Sequence, residues 1–218
     1  MLIPAYNTAK TIGQLIQHIK QLNLDTIVID DGSTDRTAHR AAEAGALVIT
    51  HLHNLGKGVA IRTGLTFAMQ AGYDAVVTLD GDGQHDPNDI PRLLEAGEQP
   101  SGALVLGNRL GDGCRMPVIR RWTNRLMSRL ISRIIHQEVP DSQCGFRMIH
   151  REVLRTIQLT TSHFEIETEL LLAASRSGWR VTSVPIKAIY QDHTSYIHPL
   201  KDGLRFIRLL VRHLWRRA

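Results

Sequence analysis

The sequence predicts an α/β fold, one domain built on a mostly parallel central sheet flanked by helices. Three observations predict it. Short β-branched runs alternate with helical stretches through the first half of the chain, which is the pattern of βαβ units. The 218 residues are 43% hydrophobic and 22% charged, globular values in a chain long enough to bury a full core. No repeat, low-complexity tract or Pro- or Ser-rich linker divides it.

Taken in order, Leu2-Ile3 is a very short strand, as expected if the native start lies a few residues upstream. A helical pattern near 8–22 follows, then a strand at Thr26–Ile29, a helix near 34–44, a strand at Leu47–Ile49 and a helix near 57–71. Ala75–Leu79 is the next strand. Asp86-Pro87-Asn88-Asp89 then reads as an N-cap acid with proline in the first turn, opening a helix over 88–96. Ala103–Leu106 is a strand, and a long helix is expected from Pro117 to His136. The second half continues with a strand at Gly145–Ile149 and a helix at Glu165–Ser175. Val181–Tyr190 is β-like with one proline, which indicates an edge strand, and a terminal helix starts near Pro199. Right-handed crossovers place the strands' carboxyl ends on one edge of the sheet. That edge would carry Tyr6-Asn7, Asp30-Asp31, His51–Asn54, Asp80–Gln84 and Asn108-Arg109, and it is where open parallel sheets bind ligands.

Composition narrows the function classes. The two cysteines, Cys114 and Cys144, have no metal spacing and point to a reducing, intracellular setting. No apolar run approaches the roughly 20 residues that cross a bilayer, and no secretory signal opens the chain. The net charge of +5 is concentrated. Residues 199–218 hold six basic side chains against Asp202, while Arg115–Arg133 carries six arginines and no acid.

The most informative stretch is Asp80-Gly81-Asp82-Gly83-Gln84, placed where a buried strand ends. Two carboxylates and a nearby amide are hard donors suited to Mg²⁺ or Mn²⁺, whose open positions phosphate oxygens can take. A Gly-Asp turn without a ligand would use the same residue types. An EF-hand fits poorly, because Gly83 falls at the fourth loop position and not the sixth.

Several motifs resemble, in the same order, those of inverting family 2 glycosyltransferases. They are Ile3-Pro4-Ala5-Tyr6-Asn7, Val28-Ile29-Asp30-Asp31-Gly32-Ser33-Thr34-Asp35, Asn54-Leu55-Gly56-Lys57-Gly58 followed by Gly64, and Asp80–Gln84. Gly107-Asn108-Arg109, Gly145-Phe146-Arg147, Phe164-Glu165-Ile166-Glu167 and Val184-Pro185-Ile186 continue the series. The branch of dolichol-phosphate mannose synthase and the bacterial polyprenyl-phosphate sugar transferases is similar over residues 3–190. The resemblance implies a GT-A, Rossmann-like domain over 1–198, with 199–218 a basic amphipathic helix that is part of that domain or associates with a membrane.

The resemblance also implies roles. Pro4, Tyr6 and Asn7 would line the donor nucleoside, and Asp30 or Asp31 would accept from a uracil or guanine N–H. Thr8 stands where the family usually has Glu. Asp82, with Asp80 and Gln84, would hold Mg²⁺ or Mn²⁺ beside Gly81, neutralising the diphosphate leaving group. Lys57 and Arg109 would add positive charge there. Asp141 lies four residues before Gly145, at the acceptor-side aspartate position. It would be the general base for a hydroxyl acceptor, whereas a phosphate acceptor is already ionised. Arg147, Arg121, Lys201 and Glu167 are the candidates for the acceptor side, with Glu165, His193 and His198 as further choices.

Arg121, Arg125, Arg129 and Arg133 form one stripe of a helix, with Trp122, Leu126, Leu130 and Ile134 beside it. In the last helix Leu200, Leu204, Ile207, Val211 and Leu214 form an apolar face with arginines outside it. Such helices suit an anionic membrane surface; two ordinary helices packed on the sheet are the plainer alternative. Nucleic acid is a poor fit, because the patches lack interleaved stacking aromatics. The expected protein is a metal-dependent transferase that moves sugar from a UDP- or GDP-sugar to polyprenyl phosphate, peripheral on the cytosolic membrane face. The other expectations are a saccharide-hydroxyl acceptor or an inactive sugar-nucleotide-binding scaffold. A membrane-protein partner or a second copy of the chain is left open.

Overall fold

The computed structural model describes residues 1–111, 116–189 and 199–215, with the side chains of 203–213 in the last helix. Among these residues seven strands form one sheet: β1 (Leu2–Ala5), β2 (Ile27–Asp30), β3 (Leu47–Thr50), β4 (Ala75–Thr78), β5 (Leu104–Asn108), β6 (Arg147–His150) and β7 (Val181–Pro185). Among the described residues eight helices surround it: α1 (Ile12–Lys20), α2 (Thr37–Glu43), α3 (Lys57–Gln70), α4 (Ile90–Gly97), α5 (Val118–Ile135), α6 (Arg151–Thr156), α7 (Ile166–Arg176) and α8 (Pro199–Trp215). A 3-10 turn, Pro87–Asp89, leads into α4, and the Asp86 carboxylate accepts from Asn88 N–H at its start.

The strand order is β3-β2-β1-β4-β6-β5-β7. The sheet is mostly parallel, as expected, and β7 is an edge strand. Only β6 runs backward, antiparallel to both β4 and β5. The residues that enter β6 therefore lie at the same edge as those that leave its neighbours, so Asp141–Phe146 joins the five polar strand ends. Successive side chains point to opposite faces and divide the core in two. Leu2, Ile27, Ile29, Val76, Leu104, Leu106 and Ile149 pack with α3, α5, α6, α7 and α8. Ile3, Val28, Val77, Val105 and Met148 pack with α1, α2 and α4.

Four details differ from the sequence reading. The first helix begins at Ile12, because Asn7 takes a left-handed turn (φ 52) and residues 8–11 bend before the helix. The short helix α6 was not anticipated. The last strand ends at Pro185 and does not continue through 186–189; Tyr190, His193 and His198 lie outside the described residues. In α8 the face turned to the core is Phe206, Leu209, Leu210 and His213, whereas Leu204, Ile207 and Val211 are exposed.

Candidate active site

The adjacent acids Asp30 and Asp31 end β2 and point to different tasks. The Asp31 carboxylate accepts from the backbone N–H groups of Leu55 (3.0 Å) and Gly56 (2.8 Å) and pairs with His51 Nδ1 at 2.7 Å. It thereby fixes the loop between β3 and α3, whose Gly56 needs a positive φ of 100. Asp30 is equally buried, and its Oδ1 has no hydrogen-bond partner in the protein. A buried carboxylate oxygen without a donor is costly to leave unmatched, so this one is open to an N–H from outside the protein. Pro4 is buried in β1 beside Ile29, with Tyr6 just past the strand's end. Asn7 is turned to the protein: its N–H donates to Ser33 and its side-chain oxygen accepts from Thr34 N–H, which ties β1 to the turn after β2.

At the end of β4, Asp80 meets Lys57 at 2.7 Å, and the same ammonium meets Glu167 of α7 at 2.5 Å. Burial works against the ionised form of Asp80, but Lys57 and the other cations outweigh it and lower its pKa. The reciprocal pairing raises that of Lys57 in spite of its own burial. Gly145 makes room for Asp80: a Cβ there would fall 2.7 Å from Asp80 Oδ2. Gly83 takes a positive φ of 75 in the turn that follows, and Asp82 Oδ1 accepts from Gln84 N–H at 3.0 Å. Thr11 pins this turn by donating to Gly81 O at 2.6 Å. Two carboxylates two positions apart, one of them cradled against a glycine, are hard oxygen donors that fit Mg²⁺ or Mn²⁺. Among the described residues no three His, Cys, Asp or Glu side chains gather as a metal-type group.

Asp141 lies across the edge, with its side chain fully buried. Its Oδ2 accepts from Arg109 N–H (3.1 Å) and Nε (2.8 Å), and its Oδ1 from an Arg109 terminal nitrogen (3.0 Å) and Asn124 Nδ2 (2.8 Å). Four donors fill the four lone-pair directions of a carboxylate. Burial would raise its pKa, but Arg109 and these hydrogen bonds hold it below the ordinary carboxylate value. Such a group aims Arg109 and is a poor proton acceptor.

Not every expected site residue is turned toward a ligand. Arg147 is buried and donates to three carbonyls, those of Cys144 (2.7 Å), Glu167 (2.5 Å) and Ser142 (2.8 Å), fastening the approach to β6 onto α7. Glu167 holds Lys57. Arg121 is half-buried on α5. Lys201 lies in α8 and its side chain is outside the described set. Sequence reasoning missed Asn124, His85 and Glu169. Glu169 accepts from the N–H and O–H groups of both Thr160 and Thr161, steadying the loop on which α3 starts. Buried among Phe146 and Cys144, His85 is pushed down to about 4 by burial, against the pull of Asp80, and stays neutral. Burial pushes the Cys144 thiol up to about 12, so it is inert as a nucleophile.

On the outer surface α5 exposes Ile119, Trp122 and Leu126 between arginines, and α8 exposes Leu204, Ile207 and Val211 beside Arg208 and Arg212. Among the described residues no helix is long and apolar enough to cross a membrane.

Comparison with known proteins places this geometry in context. The family profile described as glycosyl transferase family 2 matches residues 1–158. A UDP-N-acetylglucosamine–dolichyl-phosphate N-acetylglucosaminyltransferase of Methanococcus voltae is 31% identical over 217 residues, covering 89% of this chain and 86% of that one. An undecaprenyl-phosphate mannosyltransferase of Micrococcus luteus is 30% identical over 209 residues, covering 88% and 83%. Among solved structures, glucosyl-3-phosphoglycerate synthase from Mycobacterium tuberculosis, in complex with Mn²⁺, UDP and phosphoglyceric acid, superposes with a TM-score of 0.74. It is 24% identical, covering 99% of this chain and 76% of that one, a likeness of fold.

Proposed function

The chain belongs to glycosyl transferase family 2, and from that membership we propose that it transfers a sugar from a nucleoside-diphosphate sugar to the phosphate of a polyprenyl lipid. The lipid phosphate oxygen attacks the anomeric carbon from the face opposite the diphosphate. The bond from that carbon to the diphosphate oxygen breaks, and the nucleoside diphosphate leaves with the electron pair, giving an inverted phosphosugar.

One observation carries the choice of acceptor. The carboxylate at the acceptor-side position, Asp141, is saturated by four donors and buried. A hydroxyl acceptor needs a base to take its proton, and Asp141 has no free lone pair for one. A phosphate monoester is ionised at neutral pH and needs an anchored cation instead, which Arg109 supplies. The relatives whose names specify polyprenyl phosphates agree with this reading.

On the donor side, the unmatched Asp30 Oδ1 suits the N–H of uracil or guanine, with Pro4 and Tyr6 beside the base. Asp80 and Asp82, with Gln84, would hold Mg²⁺ or Mn²⁺, which when bound supplies positive charge to the departing diphosphate. Arg109 and Lys57 contribute positive charge to the same region. The exposed apolar and arginine-rich faces of α5 and α8 would rest on the anionic cytosolic surface where the lipid acceptor resides, and we take α8 as part of the single domain.

The test is transfer from a panel of UDP- and GDP-sugars, with Mn²⁺ or Mg²⁺, to polyprenyl phosphate and to free oligosaccharides in parallel. Product on the lipid phosphate alone is expected. Product on oligosaccharides alone would move the protein to a hydroxyl-acceptor class, and inactivity with every pair would favour a binding scaffold.

A further inference from the structure

Lys57 sits between the acidic motif and the helix behind it. Its ammonium contacts Asp80 Oδ1 at 2.7 Å and Glu167 Oε1 at 2.5 Å, with the Phe164 ring centroid 5.8 Å away. The backbone beneath it is fixed. Gly58 and Val59 N–H donate to Ser162 O at 2.9 and 3.3 Å, and the loop carrying Ser162 is clamped by Glu169 through Thr160 and Thr161. Asp80 is confined in turn by the close approach of Gly145. An oxygen suited to a divalent cation is thus already held by a side-chain cation, on rigid supports.

A bare Mg²⁺ or Mn²⁺ bonds oxygen at roughly 2.1 Å. To reach this oxygen it would have to displace the ammonium and then sit beside it, two positive charges within a few ångströms. A diphosphate reverses that balance. Its oxygens neutralise metal and ammonium together, and Lys57 keeps Glu167 as its second partner when it releases Asp80. Resting on the donor-site reading above, we propose that Lys57 is a placeholder cation that makes divalent-metal loading at Asp80 conditional on the nucleotide diphosphate. Glu167 is then a positioning residue that keeps Lys57 in reach of both. Metal alone binds weakly, and nucleotide and metal strengthen each other's binding by the same factor.

Titration calorimetry on the full chain, with free Mn²⁺ followed by electron paramagnetic resonance, tests this. Mn²⁺, UDP and GDP are added singly, and each nucleotide is then added with Mn²⁺. If the wild type shows no Mn²⁺-dependent binding of either nucleotide, the donor-site reading fails, and the placeholder with it. If it does, the variants decide the placeholder alone. Lys57→Met should bind Mn²⁺ alone on the order of tenfold more tightly, yet bind nucleotide with Mn²⁺ more weakly. Lys57→Arg keeps the charge and should leave binding of Mn²⁺ alone weak. The double variant Lys57→Met/Glu167→Gln should keep the gain. A gain lost there belongs to a new Asp80–Glu167 chelate and overturns the proposal, as does Mn²⁺ binding no tighter in Lys57→Met. Should Lys57→Met fail to fold by circular dichroism, Glu167→Gln decides. Left with Asp80 as its only carboxylate partner, Lys57 should resist displacement and weaken Mn²⁺-dependent nucleotide binding several-fold, and unchanged binding would refute the proposal.

Discussion

Asp30 and Asp31 are neighbours in sequence and opposites in use: Asp31 is filled by two backbone N–H groups and His51, while Asp30 keeps a buried oxygen unmatched. Asp31→Asn should therefore cost stability, about 1–3 kcal/mol for groups left unsatisfied, read as a lowered melting temperature. Asp30→Asn should leave melting nearly unchanged and weaken UDP or GDP binding roughly 10- to 100-fold, the worth of a hydrogen bond to a charged group. Equal nucleotide affinity in both variants would show that Asp30 does not meet the base.

Asp141→Asn replaces one carboxylate oxygen with a donor facing the Arg109 donors. Mn²⁺-dependent nucleotide binding should persist while transfer falls at least about tenfold and the KM for polyprenyl phosphate rises. Arg109→Lys keeps the charge but loses the two-pronged geometry, so it should show the same pattern. A fall in kcat with unchanged KM and a displaced acidic limb in the pH profile would instead mark Asp141 as a base.

Asp82→Ala removes one anionic donor from the proposed metal pair. Nucleotide binding should lose its Mn²⁺ dependence and transfer should fall below detection, both measured against a fold confirmed by circular dichroism. Wild-type transfer would remove Asp82 from the assignment.

His85 gives the fold a pH signature. Its folded pKa, about 4, lies below the ordinary 6.5, so between those values the unfolded chain binds the extra proton. Stability is full above about pH 6.5 and falls as pH drops toward 4, by about 3 kcal/mol in all. Asp141 acts lower: its stabilising ionisation is present above its ordinary 3.8 and lost as pH falls through its depressed folded value. Melting curves between pH 7.5 and 4.5 should slope for the wild type and flatten for His85→Gln.

For the outer helices, Trp122→Glu with Ile207→Glu should leave melting within about 0.5 kcal/mol, since both side chains are exposed. Binding to vesicles containing phosphatidylglycerol should fall, and added salt should weaken wild-type binding further. Undiminished vesicle binding would leave these faces without a membrane role. Removing residues 204–218 is a poorer test, because Phe206, Leu209 and Leu210 belong to the core.

The strand ends and the Asp80–Gln84 turn were legible in the sequence because strand length, glycine and acid placement are local signals. The direction of β6 was not legible, since a four-residue apolar run reads the same either way. The division of labour between Asp30 and Asp31 depends on Leu55 and Gly56, more than twenty residues away. Arg147 read as an acceptor-side cation and Glu169 drew no role; their burial depends on distant carbonyls and threonines that only the fold brings to them. In α8, apolar residues occur on two stripes, and periodicity alone chose the exposed one.

The reversal of β6 has a consequence for how this protein could be recombined. Apart from Arg109, every residue proposed to touch the donor precedes residue 85, and apart from α5 and β5 the acceptor-side groups follow from Asp141, on the approach to a strand that starts at that edge and runs away from it. The chain therefore reads as two consecutive cassettes that share one rim, joined through α4 on the opposite face of the sheet. A chimera that exchanges residues 105–189 for those of a relative should inherit a new acceptor with the old donor, provided its α7 still offers a carboxylate to Lys57 and its returning strand still pairs with β4.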